Sequence, residues 1–122
     1  MACRNEGADL ASVETPKEND FIRKMSGDSA IWLGGSDHKK ERTWQWIDGT
    51  KWSFKNWFIN EPSGDGNCME MYKGWNGKWN DKPCHYKIHA VCKKSKNFSV
   101  TNLIMRVVIL LDNWLLNSSN NF

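Results

Sequence analysis

Thr43-Trp44-Gln45-Trp46-Ile47-Asp48-Gly49-Thr50 alternates large apolar with polar side chains and closes on Asp-Gly, the pair that tight hairpin turns favour. Toward the N-terminus, Ala30-Ile31-Trp32-Leu33-Gly34 predicts a compact strand. Before it, Thr15-Pro16-Lys17-Glu18 predicts a helix start, with Thr15 as N-cap, Pro16 at the first helical position and Glu18 completing a capping box. Phe21, Ile22 and Met25 follow at helical spacing, and Gly27 stops the helix. Residues 7–13 read as a short strand or extended piece. Toward the C-terminus, residues 56–81 are dominated by Gly, Pro, Asn, Asp and Trp, and a loop this long inside a compact domain is usually functional. Cys68–Tyr72 and Lys78–Asn80 read as short strands within it, and His89-Ala90-Val91-Cys92 as a last strand closed by Lys93-Lys94.

The chain has 122 residues, about one domain's length, and carries no internal repeat. Its 39% apolar content supports a folded core, and a mean hydropathy of −0.69 describes an ordinary wet surface. These values exclude collagen-like, coiled-coil and intrinsically disordered classes. Seventeen basic against fourteen acidic side chains leave +3, too small and scattered to point to nucleic acid. No run of about eighteen apolar residues occurs, so a membrane-spanning helix is not expected. There is no Gly-x-Ser-x-Gly, P-loop or GxGxxG, and no cysteine stands in a catalytic context, so no enzyme is expected.

Cys3, Cys68, Cys84 and Cys92 form no C-x-x-C pair, and His38, His85 and His89 fall at no zinc spacing. An even count with wide gaps reads as two disulfides in an oxidising compartment; four reduced thiols in a cytosolic protein is the other reading. Spacing leaves all three connectivities open. The sequence from 95 to 122 is of another kind. Leu103, Ile104, Val107, Val108, Leu111, Trp114 and Leu115 fit one helical face, interrupted by Arg106 and Asp112, before an Asn- and Ser-rich end of disordered composition. The polar face has few basic residues, so membrane association is not favoured. Asn97-Phe98-Ser99 and Asn117-Ser118-Ser119 are glycosylation sequons, meaningful only on a secretory route.

Calcium prefers six to eight hard oxygens gathered on loops. Glu61, Ser63, Asp65, Asn67, Asn80 and Asp81 supply such oxygens in or beside the long loop, although the same residue types are ordinary turn formers.

From about Cys3 to Lys94 the chain resembles the C-type lectin domain. The matching segments are Ala8–Val13, the Thr15-to-Met25 helix, Ile31-Trp32-Leu33-Gly34, Trp44-Gln45-Trp46 with Asp48-Gly49-Thr50, Asn56-Trp57, Glu61-Pro62-Ser63, Cys68, Trp79-Asn80-Asp81, Cys84 and Val91-Cys92. The resemblance implies an α+β domain over 1–94, with short helices on small antiparallel sheets and a long irregular ligand-binding loop, followed by a tail over 95–122. It also implies the pairings Cys3 with Cys92 and Cys68 with Cys84, and places the tryptophans in the core. A strand and most of a helix normally precede the position of Cys3, which would leave an edge of the last strand unpaired and within reach of the tail.

In sugar-binding members, a Glu-Pro-Asn segment with a cis proline and a Trp-Asn-Asp segment hold one calcium, which two vicinal sugar hydroxyls coordinate. The resemblance thus implies a secreted module that binds mannose-like glycans through calcium. Glu61, Ser63, Asp65, Asn80 and Asp81 are the expected metal set, and Glu61, Ser63, Asn80 and Asp81 also contact the sugar. Two positions depart from the pattern. Ser63 replaces the expected asparagine, and Gly66 stands where a second glutamate usually occurs, with Asp65 as the substitute carboxylate. These departures predict calcium binding weaker than the roughly 0.1–1 mM of extracellular modules. They also support the alternative, a calcium-independent module contacting protein, ice or mineral. Asp37 and Glu41 match an auxiliary calcium site without evident loop partners, and are read as surface acids.

Overall fold

The computed structural model describes residues 2–94 and the backbone of 114–117. In chain order the elements are α1 (Ala2–Asn5), β1 (Asp9–Leu10), α2 (Pro16–Met25), β2 (Ile31–Ser36), β3 (Gln45–Trp46), β4 (Cys68–Met71), β5 (Trp79–Lys82), β6 (His89–Lys93) and β7 (Trp114–Asn117). The strands form one sheet in the order β1-β6-β2-β4-β5, with β3 added to β2 and β7 to β6. Among the described strand pairs β2–β6 is parallel and the others antiparallel, and an isolated parallel bridge joins Trp57 to Trp79. This is an α+β domain with short helices on a small mixed sheet.

β2 is covered on both faces, which is why its sequence is a continuous apolar run and not an alternation. Ile31 and Leu33 join Val13, Ile22, Trp46, Met71, Trp79 and Val91 in the larger core. Trp32, pointing the other way, joins Cys3, Leu10, Ala90 and Cys92 in a second. Gly34 lets the β1 segment cross closely: its N–H donates to Ala11 O at 2.8 Å, and a Cβ there would collide with the Leu10 carbonyl. The register of β2 against β4 shifts between Leu33 and Ser36, and β3 docks at this irregularity through Gly35↔Trp46 and Ser36↔Gln45. The expected hairpin over 43–50 is therefore reduced to two strand residues that pair with β2. The Asp-Gly step still turns the chain, with Gly49 at φ 84° and Asp48 accepting bonds from Thr50 N (2.9 Å) and the Ser12 hydroxyl (2.6 Å).

α2 begins as its cap signals require, with Thr15 Oγ1 accepting from Glu18 N at 3.1 Å and Pro16 opening the first turn. The second half of the expected capping box is absent. The Glu18 carboxylate turns instead to the buried Lys93 ammonium of β6 at 3.0 Å, beside Glu14 at 3.5 Å, and so ties the helix to the sheet. Ile22 is fully buried, while Phe21 is 38% exposed and leaves the expected apolar face. Thr15→Ala is expected to cost about 1 kcal/mol, read as a lower urea midpoint at unchanged slope. An unchanged midpoint would show that the cap is dispensable.

The two disulfides are Cys3–Cys92, joining α1 to β6, and Cys68–Cys84, joining β4 to the turn after β5. β7 pairs antiparallel with β6 from Ala90↔Asn117 to Lys93↔Trp114. The helical face expected over 103–115 falls mainly outside the described residues, and its last two positions, Trp114 and Leu115, are in a strand. The sequon at Asn97 also lies outside them, whereas Asn117 ends β7. Among the described residues no helix is long and apolar enough to cross a membrane.

Candidate ion and glycan site

The site is assembled around β5. Trp79, fully buried, anchors that strand: its indole N–H donates to Asn19 Oδ1 at 2.8 Å, and its ring meets those of Trp46, Trp52, Phe54 and Trp57. Its backbone stitches the long loop to the strand, through Trp79 N to Asn56 O and Phe58 N to Trp79 O, both 2.9 Å. A turn closed by Glu61 N to Phe58 O (2.9 Å) then delivers the loop to the cis Glu61–Pro62 bond.

Two residues beyond Trp79, Asp81 is 1% exposed and pins the far side of the loop. Its Oδ1 accepts from Ser63 N (3.0 Å), and its Oδ2 from Gly64 N (2.8 Å) and Gly66 N (3.4 Å). The Ser63 hydroxyl donates to Asp65 Oδ2 at 2.8 Å and lies 3.3 Å from Asp81 Oδ1, and Ser63 N also donates to Glu61 Oε1 at 3.0 Å. Glu61, Asp65 and Asp81 each present a carboxylate oxygen within 4.8 Å of the others. Burial pushes the Glu61 carboxyl above its ordinary value, and the neighbouring Asp81 adds to the shift. Burial would also raise Asp81, but hydrogen bonds from Glu61 and from the amides of Ser63, Gly64 and Gly66 outweigh it, holding this carboxyl below its ordinary value. The pair therefore keeps a proton on Glu61 in preference to Asp81.

The structure thus brings together Glu61, Ser63, Asp65 and Asp81. Asn80 is engaged elsewhere. Glu70 is its register partner on β4, and the Asn80 Nδ2 donates to Glu70 Oε1 at 2.9 Å. Glu70 is fully buried and also takes the Lys82 ammonium at 3.4 Å. Sequence reasoning passed over this acid; its signal was a carboxylate between the two methionines of Cys68-Met69-Glu70-Met71, a segment too apolar to face water. Asp37 corrects another expectation. It is 4% exposed, not a surface acid, and its Oδ2 accepts from Arg42 N at 3.0 Å, whereas Glu41 is exposed. Neither acid joins a group of converging ligand atoms among the described residues.

The departures from the expected ligand pattern have physical counterparts. Gly66 runs against the backbone of Lys82 and Pro83, and a Cβ there would collide with both, so the glutamate expected at this position has no room. Ser63, at the exposed apex of the loop, offers one hydroxyl already engaged by carboxylates. The residues fit a cation through three convergent carboxylates, while the Asn80 amide nitrogen bonds Glu70.

A family model described as the lectin C-type domain matches residues 1–94. The chain is 37% identical over 95 residues to a protein named "Lectin" from Pleurodeles waltl, a match covering 71% of this chain and 55% of that protein's length. Among solved structures, human lithostathine is similar at a TM-score of 0.71 and 36% identity, covering 78% of this chain and 79% of that one. A calcium-independent type II antifreeze protein is similar at 0.70 and 29%, with 75% and 71% covered. The cow C-type carbohydrate-recognition domain of CD23, solved in the presence of a GlcNAc2Man3 oligosaccharide, is similar at 0.60 and 34%, with 66% and 64% covered. The fold thus serves both glycan-binding and ice-binding proteins, as a recognition module and not a catalyst. With the match spanning both disulfides, strands β1 to β6 and the long loop, the chain belongs to the C-type lectin domain family.

Proposed function

We propose that the chain is an extracellular module that holds calcium with Glu61, Asp65 and Asp81, assisted by Ser63, and through the ion binds the vicinal hydroxyls of a mannose-like sugar. The observation that carries this reading is the convergence of three carboxylate oxygens within 4.8 Å on one loop and its adjoining strand. Like charges at that spacing repel, and a hard divalent cation both relieves the repulsion and matches the oxygen donors. Calcium would supply open coordination positions for a diol. Around it, Glu61 is the group placed to accept a sugar hydroxyl's proton in a hydrogen bond. Two disulfides support an oxidising, extracellular setting.

The second reading, calcium-independent recognition of protein, ice or mineral, is supported by the amide hydrogen bonds that Asp81 already receives, which hold the loop without an ion. Thermal melting separates the two. For a Kd of about 10 mM, about 100 mM calcium stabilises the fold by about 1.4 kcal/mol, and EDTA reverses the gain. The full chain should be retained on mannose resin in calcium and released by EDTA, and Asp81→Asn should abolish retention. Retention that survives EDTA favours the second reading; no calcium-linked shift in melting sinks the first.

A further inference from the structure

We propose that Phe58, Tyr72 and Trp75 form an outer subsite that stacks on the apolar face of a second sugar, so that the preferred ligand is an oligosaccharide and not a single mannose-like residue. The inference rests on the sugar proposed at the ion and extends it. The Trp75 ring lies against Phe58 with 3.6 Å between centroids and 19° between planes, and against Tyr72 at 3.8 Å and 29°. The other tryptophan rings of the long loop pack into the core, but none of these three side chains belongs to either buried cluster or to the partly buried ones packed against it. Their ring contacts, among the described residues, are with one another. Each keeps part of its surface open to solvent, and Ile59, next to Phe58, is 74% exposed. Aromatic surface placed outside the core in this way marks a contact site.

Backbone bonds set the stack in place before any ligand arrives. Phe58 N donates to Trp79 O at 2.9 Å, and the hairpin joining β4 to β5 carries the other two rings, closed by Tyr72 N to Lys78 O (2.9 Å) and Lys78 N to Trp75 O (3.0 Å). Such preorganisation lowers the ordering cost of binding. Three features select a sugar as the occupant. Phe58 O accepts from Glu61 N at 2.9 Å, so a single turn of chain joins the stack to the carboxylate cluster. The patch is three partly covered rings and one isoleucine, small beside the roughly 800 Å² per partner that a stable protein interface buries. Its neighbours in the chain, Asn60 and Asn76, are exposed amides, which donate and accept as sugar hydroxyls require. A pyranose presents C–H groups on its face and hydroxyls at its rim, and so matches rings and amides together.

The test measures, in calcium, how well free sugars displace the full chain from mannose resin. The best of the linkage isomers of mannobiose should be about fivefold more potent than methyl α-mannoside, the gain of one stacked contact. Trp75→Ala should erase that gain while methyl α-mannoside displaces the chain as before. Because Trp75 lies outside both cores, the variant should keep its melting temperature. Independently, the indole N–H signal in NMR that this substitution deletes should shift saturably with mannobiose and stay in place with methyl α-mannoside. No gain for any disaccharide, a gain that survives Trp75→Ala, or an unmoved Trp75 signal overturns the subsite and leaves the ion-held sugar standing. A wild-type chain that the resin fails to retain in calcium fails at the earlier step and removes both.

Discussion

Trp79→Ala is expected to cost the fold about 3–5 kcal/mol, in the upper range for a single substitution. The side chain is fully buried and stands at the centre of an aromatic group, with ring centroids of Trp46, Phe54, Trp57 and Trp52 at 5.5, 5.6, 5.9 and 6.1 Å. Truncation opens a cavity that four rigid rings cannot close, and it strands Asn19 Oδ1, which now accepts the indole N–H at 2.8 Å. Against a total stability of about 5–15 kcal/mol, such a loss leaves a small domain at the margin of folding. Urea unfolding followed by circular dichroism measures it. Trp79→Phe keeps the six-membered ring and removes the donor together with the smaller ring, so it should cost less than the alanine change but still at least about 1–3 kcal/mol for the unpaired Asn19. A loss under about 1 kcal/mol in the alanine variant would mean that the rings repack, contrary to the close-packed core described here.

Removing the Cys3–Cys92 bridge by the double change Cys3→Ala and Cys92→Ala is expected to cost at least as much. The bridge closes a loop of 89 residues, and the chain-entropy relation assigns it about 4–5 kcal/mol. Cys68–Cys84 spans only 16, for which the same relation gives about 3 kcal/mol. The first bridge also carries the smaller core, since Cys3 and Cys92 are 2% and 0% exposed and sit among Leu10, Trp32 and Ala90. Melting temperatures of the two double-alanine variants should therefore rank with the 3–92 pair lower. The reverse order would show that the 68–84 bridge acts through the native loop and not through the unfolded chain.

What the sequence disclosed follows the range of the interactions involved. Helix α2 was legible because its start signals are local: Thr15, Pro16 and Glu18 lie within one turn, and the cap forms between neighbours. The fate of the Glu18 carboxylate was not legible, because its partner Lys93 is 75 positions away. The strand expected over 43–50 shrank for a similar reason. Trp44 and Trp46 are buried by Trp52, Trp57 and Trp79, so their alternation reports packing against the long loop more than a ladder. At the candidate site, Glu61, Ser63, Asp65 and Asp81 converge because Asp81 gathers the loop's amides. The bond from Asn80 Nδ2 to Glu70 was not legible, because Glu70 is its partner across the β4–β5 ladder and not a neighbour in the chain. Asp37 misled because acids are usually solvated, and a buried acid accepting a bond from a backbone N–H five residues on leaves no mark in composition.

The crowding at Gly66 decides how this scaffold can be re-engineered. Placing a longer acidic side chain there would drive it into the Lys82–Pro83 peptide and displace the strand that carries Asp81, so the change would pull apart the carboxylate cluster it was meant to extend. Ser63 is exposed on the same loop and its hydroxyl already meets Asp65 and Asp81, so a longer amide or acid there has both the room and the direction to reach the cluster. Directed evolution toward tighter metal capture should find its improvements at that address and leave the glycine untouched.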